Sequence, residues 1–382
     1  MKNNPKLLLY IAAAFITYLL WQRWVEVNRP PVQPTVASAP AAADIPNAAP
    51  GSDVPAASSA QQNDVPGDNR AETADSGDII HVKTDVLELD IASKGGTIIR
   101  AELPAYPENK NGGKALALLH QDNPGRFLLQ SGLTSADDSK APTHHDTFST
   151  SASSYSLADG QDSLAVPLTW QQDGISVTKT YTFKRGAYDF SLEQKVQNDS
   201  DKTWRGNTYQ QWGFGQPLPS QGLGQVATYT GTVMSYDADP YEKIKLGTPK
   251  FEVQTQTGWV AMIQHYFLGA IVPEQGQQYT FFAQLYNNNP DNYAGIRGSL
   301  REVAPGASTS FTSQIYIGPK IQKDLKAVAP NLDKTVDYGF LFMIGQPMFY
   351  VINFIHGIVH NWGWAIIITT LFIKLLFFTP SA

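Results

Sequence analysis

Residues 175–196 read ISVTKTYTFKRGAYDFSLEQKV, and this stretch decides the fold class. Residues 175–183 and 188–196 are rich in β-branched and aromatic side chains with near period-two alternation, the pattern of a pleated strand half buried against a core. Lys184-Arg185-Gly186-Ala187 supplies a tight turn between them, so the pair predicts an antiparallel hairpin. The pattern recurs outward along the chain, in IIHVKTDVLELDIA (79–92), QYTFFAQLY (278–286) and STSFTSQIYI (308–317). Roughly a dozen such runs, broken by Gly, Asn, Asp and Pro and without a helical segment between them, predict one large antiparallel sandwich.

Composition sets the outer limits. A chain of 382 residues with 42% hydrophobic content has enough apolar material for a large core, and its 25 prolines and 30 glycines argue against an all-helical protein. The net charge of −6, with no dense Lys/Arg block, carries no nucleic-acid footprint. The absence of cysteine excludes a disulfide framework, a thiol nucleophile, cysteine metal sites and a lipidated N-terminal cysteine.

Beyond the strands, GPKIQKDLKAVAP (318–330) predicts a helix over 319–329. Pro319 suits its first turn, Pro330 stops it, and Ile321, Leu325 and Val328 form one face to pack on the sandwich. The next run, FLFMIGQPMFYVINFIHGIVH (340–360), is apolar except for Gln346, Asn353, His356 and His360. At 100° per residue these four fall within about 80° of arc. A helix starting near Pro347 with one thin polar stripe is therefore expected to lie in a bilayer interface, the alternative being a span that would reverse the direction of the segment after it.

Both ends of the chain read as membrane segments. NWGWAIIITTLFIKLLFFTPSA (361–382) carries a single charge, Lys374. Charge at the bilayer centre costs roughly 2.5–3.5 kcal/mol on insertion scales, so such a lysine pairs, performs a task or snorkels. At the other end LLLYIAAAFITYLLW (7–21) is uncharged, and Lys2 and Lys6 before it favour a cytoplasmic N-terminus. The nearby small-residue site, Ala37-Ser38-Ala39, lies far past the apolar run and is followed by Pro40, so residues 1–27 are predicted as an uncleaved anchor. Residues 28–77, dominated by Pro, Ala, Ser, Asp and Gln, are predicted as a disordered tether.

Several features invite other readings. GLGQVA (222–227) opens like a dinucleotide fingerprint, but TYTGTVMSY after it reads as strand where that motif needs a helix. His144-His145-Asp146, set among polar residues, predicts a solvated loop ahead of a metal site. His356 and His360 lack a third ligand and fit the polar stripe better. Trp170, Trp204, Trp212 and Trp259 read first as core and second as a sugar-binding face. No Ser/His/Asp spacing announces covalent catalysis.

Six further stretches occur in a telling order: VKTDVLELDIASKGGTI (82–98), LPAYP (103–107), QSGLT (130–134), GWVAMIQHYF (258–267), VAPNLDKTVDYGFLFMIGQPMF (328–349) and NWGWAIIITTLFIKLLFF (361–378). Through them the chain resembles the YidC membrane protein insertases of Gram-negative bacteria over essentially its whole length. The resemblance implies a multi-pass inner-membrane protein with an N-terminal anchor, a periplasmic β-supersandwich (78–333), an interfacial amphipathic helix (340–360) and a second membrane helix (361–382). It implies insertion of nascent membrane proteins into the lipid bilayer, alone or beside the Sec translocon and its accessory proteins, with no enzyme chemistry, no cofactor and no nucleic acid. The family's hydrophilic groove holds one basic residue, usually arginine; Lys374 stands there, and Thr370 matches a polar residue one turn earlier.

Three departures accompany the resemblance. Lysine keeps the charge but loses the planar fork of arginine. The chain ends at Ala382, where the family continues through a cytoplasmic hairpin and further membrane helices, and Thr379 precedes a proline expected directly after the aromatic pair. The alternative class is a membrane-anchored periplasmic carbohydrate-binding or mutarotase-like protein, since supersandwich folds are shared with mutarotases and fold does not settle function. A snorkelling Lys374 in a structural bitopic protein is the third.

Overall fold

The alternation that opens the sequence reading is realised as strands whose buried and exposed residues take turns. Ile175–Lys184 alternates buried and half-buried side chains along its length, and Asp189–Asn198 pairs with it antiparallel across the turn at 185–187. The structure, a computed structural model, describes residues 65–66, 77–109, 112–122, 125–136, 140–215, 229–285, 291–336 and 342–376. The predicted anchor (1–27), nearly all of the predicted tether, the GLGQVA stretch and Thr379 lie outside the described residues.

In chain order the first strands are β1 (Ile79–Lys83), β2 (Glu88–Ala92), β3 (Ile98–Pro107), β4 (Ala115–Leu119), β5 (Phe127–Ser135) and β6 (Ser154–Ser156). They are followed by β7 (Ser163–Gln172), β8 (Ile175–Lys184), β9 (Asp189–Asn198), β10 (Trp204–Phe214), β11 (Gly231–Tyr236), β12 (Asp239–Ile244) and β13 (Lys250–Thr255). The last are β14 (Trp259–Ile263), β15 (Phe267–Pro273), β16 (Tyr279–Leu285), β17 (Asn292–Gly298), β18 (Arg301–Val303) and β19 (Ser308–Pro319). An 11-stranded sheet runs β13-β16-β17-β10-β5-β3-β2-β1-β6, with β18 beside β10 and β4 beside β3; an 8-stranded sheet runs β12-β11-β14-β15-β19-β9-β8-β7. The pairing is antiparallel except between β1 and β6, where residues 81–83 run parallel to 154–156.

The two sheets face each other across one large apolar core. Phe127, Trp212, Phe214 and Ile296 of the first sheet meet Val177, Tyr181, Leu192 and Ile315 of the second. Two side-chain hydrogen bonds bridge the sheets: Gln194 Nε2 donates to Thr208 Oγ1 at 2.7 Å, and Ser313 Oγ donates to Gln210 Oε1 at 2.8 Å. At one border of the sandwich, Arg126 and Asp291 form a buried ion pair at 3.0 Å between segments 165 residues apart in sequence. All four tryptophans named above are buried, Trp204, Trp212 and Trp259 almost completely.

A second, smaller core lies on the outer face of the 8-stranded sheet. Helix α1 (Gln322–Val328) covers it with Leu325, which packs beside Trp259, Leu268 and Tyr316. The helix is shorter than the 319–329 expected. Pro319 is the last residue of β19, and Ile321 caps the helix from an extended conformation. The predicted apolar face is therefore reduced: Leu325 is fully buried and Ile321 is 39% exposed. Trp259 Nε1 donates to Pro330 O at 2.9 Å, tying the end of this segment to the sheet, and a 3-10 turn (Leu332–Thr335) follows. Leu325→Ala should cost about 3 kcal/mol of stability through the cavity it leaves, and Ile321→Ala less than about 0.5 kcal/mol. Urea unfolding of the two variants measures the difference, and equal effects would mean that both residues pack alike.

The remaining described residues form a separate unit of two helices, α2 (Phe342–Val359) and α3 (Trp362–Leu376).

Candidate functional site

The helical unit holds most of the site residues named from sequence. Helix α2 begins at Phe342, five residues before the start expected near Pro347, so Pro347 lies inside it. Proline at this point withholds one N–H, which would otherwise face the carbonyl of Met343. Gln346 falls within α2, with its side chain outside the described set. Asn353 is exposed, and so are its apolar neighbours Phe354 and Ile358, while Ile352, Ile355, His356 and Val359 are half-buried. The predicted polar stripe is thus divided. His356 stacks on Trp362 with ring centroids 3.8 Å apart and planes 13° from parallel, and Asn353 faces outward.

The two helices meet at a two-residue corner. His360 adopts φ 51 and donates its backbone N–H to His356 O at 2.7 Å, the left-handed cap that ends a helix. Asn361 then caps α3, its Oδ1 accepting from Trp364 N at 3.2 Å. His360 therefore belongs to the corner, and its place is set by backbone geometry.

Helix α3 has one narrow covered strip, and most of its other described side chains are exposed. Ala365 and Thr369 are buried, while Thr370 and Lys374 are exposed. At 100° per residue Thr370 and Lys374 stand about 40° apart, and Lys374 stands about 140° from Thr369. Both threonine hydroxyls are satisfied inside the helix, Thr369 by Ala365 O at 2.7 Å and Thr370 by Ile366 O at 2.8 Å. Lys374 also lies in the last turn, where its charge complements the helix dipole. Ile367, Leu371 and Leu375 are exposed too, so one ammonium stands on a largely apolar surface. Among the described residues no helix is both long and apolar enough to cross a membrane. The described part of α3 has 15 residues, about 22 Å at ~1.5 Å per residue.

The sandwich contains a cluster that the sequence reading passed over. Lys179 is completely buried between the sheets, and its Nζ donates to Gly95 O at 2.5 Å, Ser131 O at 2.6 Å and Ser131 Oγ at 3.1 Å. It sits 4.5 Å above the ring of Phe148. Burial pushes its pKa from 10.5 down to about 7, and the charge of Asp146 partly opposes the shift. Next to it Tyr181 Oη donates to Gly96 O at 2.6 Å. The Gly95-Gly96 turn has positive φ at both residues, and a side chain at Gly95 would run into the backbone of His144. A signal existed in the sequence: Lys179 occupies an inward position of the alternating run, between Val177 and Tyr181.

His144-His145-Asp146 belongs to the same neighbourhood, which corrects the expectation of a solvated loop. His144 is buried; its backbone N–H donates to Tyr209 Oη at 2.9 Å, and its Nδ1 lies 2.6 Å from the same oxygen. Asp146 accepts from Thr143 N and Thr143 Oγ1, both at 2.8 Å. Among the described residues no group of three or more His, Asp or Glu side chains could hold a metal ion. The buried tryptophans offer no sugar-binding surface.

A surface cavity of about 290 Å³ on the β1–β2–β3 face is lined by His81, Lys83, Glu88, Asp90, Arg100 and Glu102. Its charges pair across the strands, His81 with Asp90 at 2.7 Å, Lys83 with Glu88 at 2.5 Å and Arg100 with Asp90 at 3.9 Å, while Arg100 also pairs with Glu102 along β3. Such cross-strand pairs stabilise an exposed sheet face by themselves.

The described residues define a class: a large two-sheet β domain followed in the chain by a pair of apolar helices that carries one lysine. The family described as the YidC periplasmic domain matches residues 79–351. The membrane protein insertase YidC of Thioalkalivibrio sulfidiphilus is 38% identical over 99% of this chain and 70% of its own length, and that of Nitrosococcus oceani is 36% identical over the same shares. The chain belongs to the YidC membrane protein insertase family. A galactose mutarotase related enzyme from Lactobacillus acidophilus is similar at a TM-score of 0.40 and 10% identity, covering 63% of this chain and 97% of its own, and carries no argument about function.

Proposed function

We propose that this protein inserts hydrophobic segments of nascent membrane proteins into the bacterial inner membrane, and that α3 lines the path with Thr370 and Lys374. The observation that carries this reading is the division of α3: a hydroxyl and an ammonium four residues apart are exposed on one side, while Ala365 and Thr369 are buried on another. A groove lined in this way would let polar N-terminal tails enter a low-dielectric region beside an opposite charge. Helix α2 would lie along the periplasmic leaflet, with Phe354 and Ile358 toward lipid, and its rigid corner would hold the start of α3. The sandwich would stand in the periplasm as a docking module for the Sec translocon and its accessory proteins.

Photocrosslinking tests the path. With a benzophenone side chain in place of Thr370 or Lys374, in the protein carried to the full length of its relatives, a ribosome-bound client should crosslink strongly. The same probe at Ala365 or Thr369 should yield little client adduct. Equal client labelling from all four positions, or lipid adducts alone from residues 370 and 374, would remove α3 from the path.

A further inference from the structure

Helix α3 can present Thr370 and Lys374 to a path only if its rotation about its own axis is fixed, and a fixing point stands at the corner before it. His356, in the last turn of α2, and Trp362, the first residue of α3, stack face to face across that corner. His356 is half-buried and Trp362 is 50% exposed, so the indole gives one face to the imidazole and leaves about half its surface open. The backbone bonds of the corner do not join the two helices. His360 N–H to His356 O closes the end of α2, while the Asn361 cap on Trp364 N and the bond from Ala365 N to Asn361 O belong to α3. Between them His360 holds a left-handed φ of 51, a conformation that a residue other than glycine adopts at a cost. The ring stack crosses from one helix to the other.

The azimuths give this stack a consequence. At 100° per residue Trp362 stands about 20° from Thr369 and about 60° from Ala365, the two buried residues among the described side chains of α3. It stands about 80° from Thr370 and about 120° from Lys374. The ring that is held therefore lies on the covered side, and holding it turns the hydroxyl and the ammonium onto one exposed flank. Ile368 and Leu375, both exposed, lie at about 120° and 140° in the opposite sense. A turn of α3 by about 120° would bring Ile368 to the place of Lys374. We propose that Trp362, stacked on His356, is a positioning residue that sets the rotation of α3 and so aims Thr370 and Lys374 at the path. The aim at a path rests on the insertase reading above; the rotation does not.

The chain contains no cysteine, so a single nitroxide can be attached in turn at each of residues 365–375 of the whole chain in liposomes. The collision rate with dissolved oxygen should rise and fall every ~3.6 residues, lowest at 365, 369 and the half-buried 373. An aromatic pair shifts an equilibrium by roughly two- to tenfold. In Trp362→Ala and in His356→Ala the amplitude of the oscillation should therefore fall at least about twofold, and the double variant should lose no more than either one. Trp362→Phe keeps a ring over His356 and should keep the pattern. So should Trp364→Ala, which removes an indole from the same turn and controls for the interfacial anchoring that tryptophans supply. At the full length of its relatives, Trp362→Ala should also reduce at least about threefold the excess of client adduct from a probe at 374 over a probe at 368. An unchanged oscillation in either alanine variant, an equal loss in Trp364→Ala, a loss in Trp362→Phe, a greater loss in the double variant or an unchanged client excess would each overturn the proposal. The oscillation is measured without a client, so its failure is distinct from a failure of the path reading, which client crosslinking in the parent decides.

Discussion

Lys374→Glu should nearly abolish insertion of clients with acidic N-terminal tails, Lys374→Ala should reduce it by an order of magnitude or more, and Lys374→Arg should retain it. If, as proposed, α3 crosses the membrane with Trp362 at its periplasmic belt, twelve residues at ~1.5 Å rise would put Lys374 about 18 Å deep, past the middle of a ~30 Å hydrocarbon core. At about 8 Å from a carboxylate and an effective dielectric of about 20, a unit charge contributes roughly 2 kcal/mol, or about thirtyfold. Alanine removes that attraction, and glutamate replaces it with repulsion of similar size. Arginine keeps the charge. The measurement is protease protection of the translocated tail in proteoliposomes, using the protein at the full length of its relatives and variants present at equal level. Full insertion by the Ala and Glu variants would mean that the lysine only snorkels its charge to the headgroups.

Lys179→Met should flatten the pH dependence of stability on the alkaline side of neutrality. The folded-state pKa of this lysine, about 7, lies below the ordinary 10.5 because burial disfavours the ammonium. Between those values the unfolded chain holds a proton that the folded chain has released, so stability rises with pH, by about 1.4 kcal/mol per unit. The contribution is fully present above 10.5 and lost as pH falls through about 7. The parent should therefore gain about 3 kcal/mol over the methionine variant on going from pH 6 to pH 9. Paired urea titrations at the two pH values give the difference. A gap that stays constant would place the titration elsewhere and leave Lys179 an ordinary structural hydrogen-bond donor to Gly95 and Ser131.

Much of the architecture was legible because strand formation leaves a local mark. Alternation along 175–183, the Lys184–Ala187 turn and the aromatic positions at Trp204, Trp212 and Trp259 each report burial on one face within a few residues, and the structure places all of them accordingly. The helix after the sandwich shows where local signals mislead. Pro319 is as compatible with the end of β19 as with a first helical turn, and only pairing with Phe267 of β15 decides for the strand. The same holds for α2, where Pro347 read as a start and lies inside. His144 looked solvated because its sequence neighbours are polar; its partner Tyr209 is 65 residues away.

The sequence by itself determined the class of fold, the apolar helical segments near the end of the chain, the isolation of Lys374 among apolar residues and, through ordered stretches of likeness, the family. All of these depend on periodicity, composition or residue order, which survive without knowledge of contacts. Tertiary structure alone decided strand order, the parallel β1–β6 pair, the seat of Val65 on Tyr209 and Phe282, and the burial of Lys179 against Gly95 and Ser131, 84 and 48 residues distant. The physical reason is that long-range partners are selected by the sum of many weak packing and hydrogen-bonding gains over the whole core, and no single position carries that sum in its own neighbourhood.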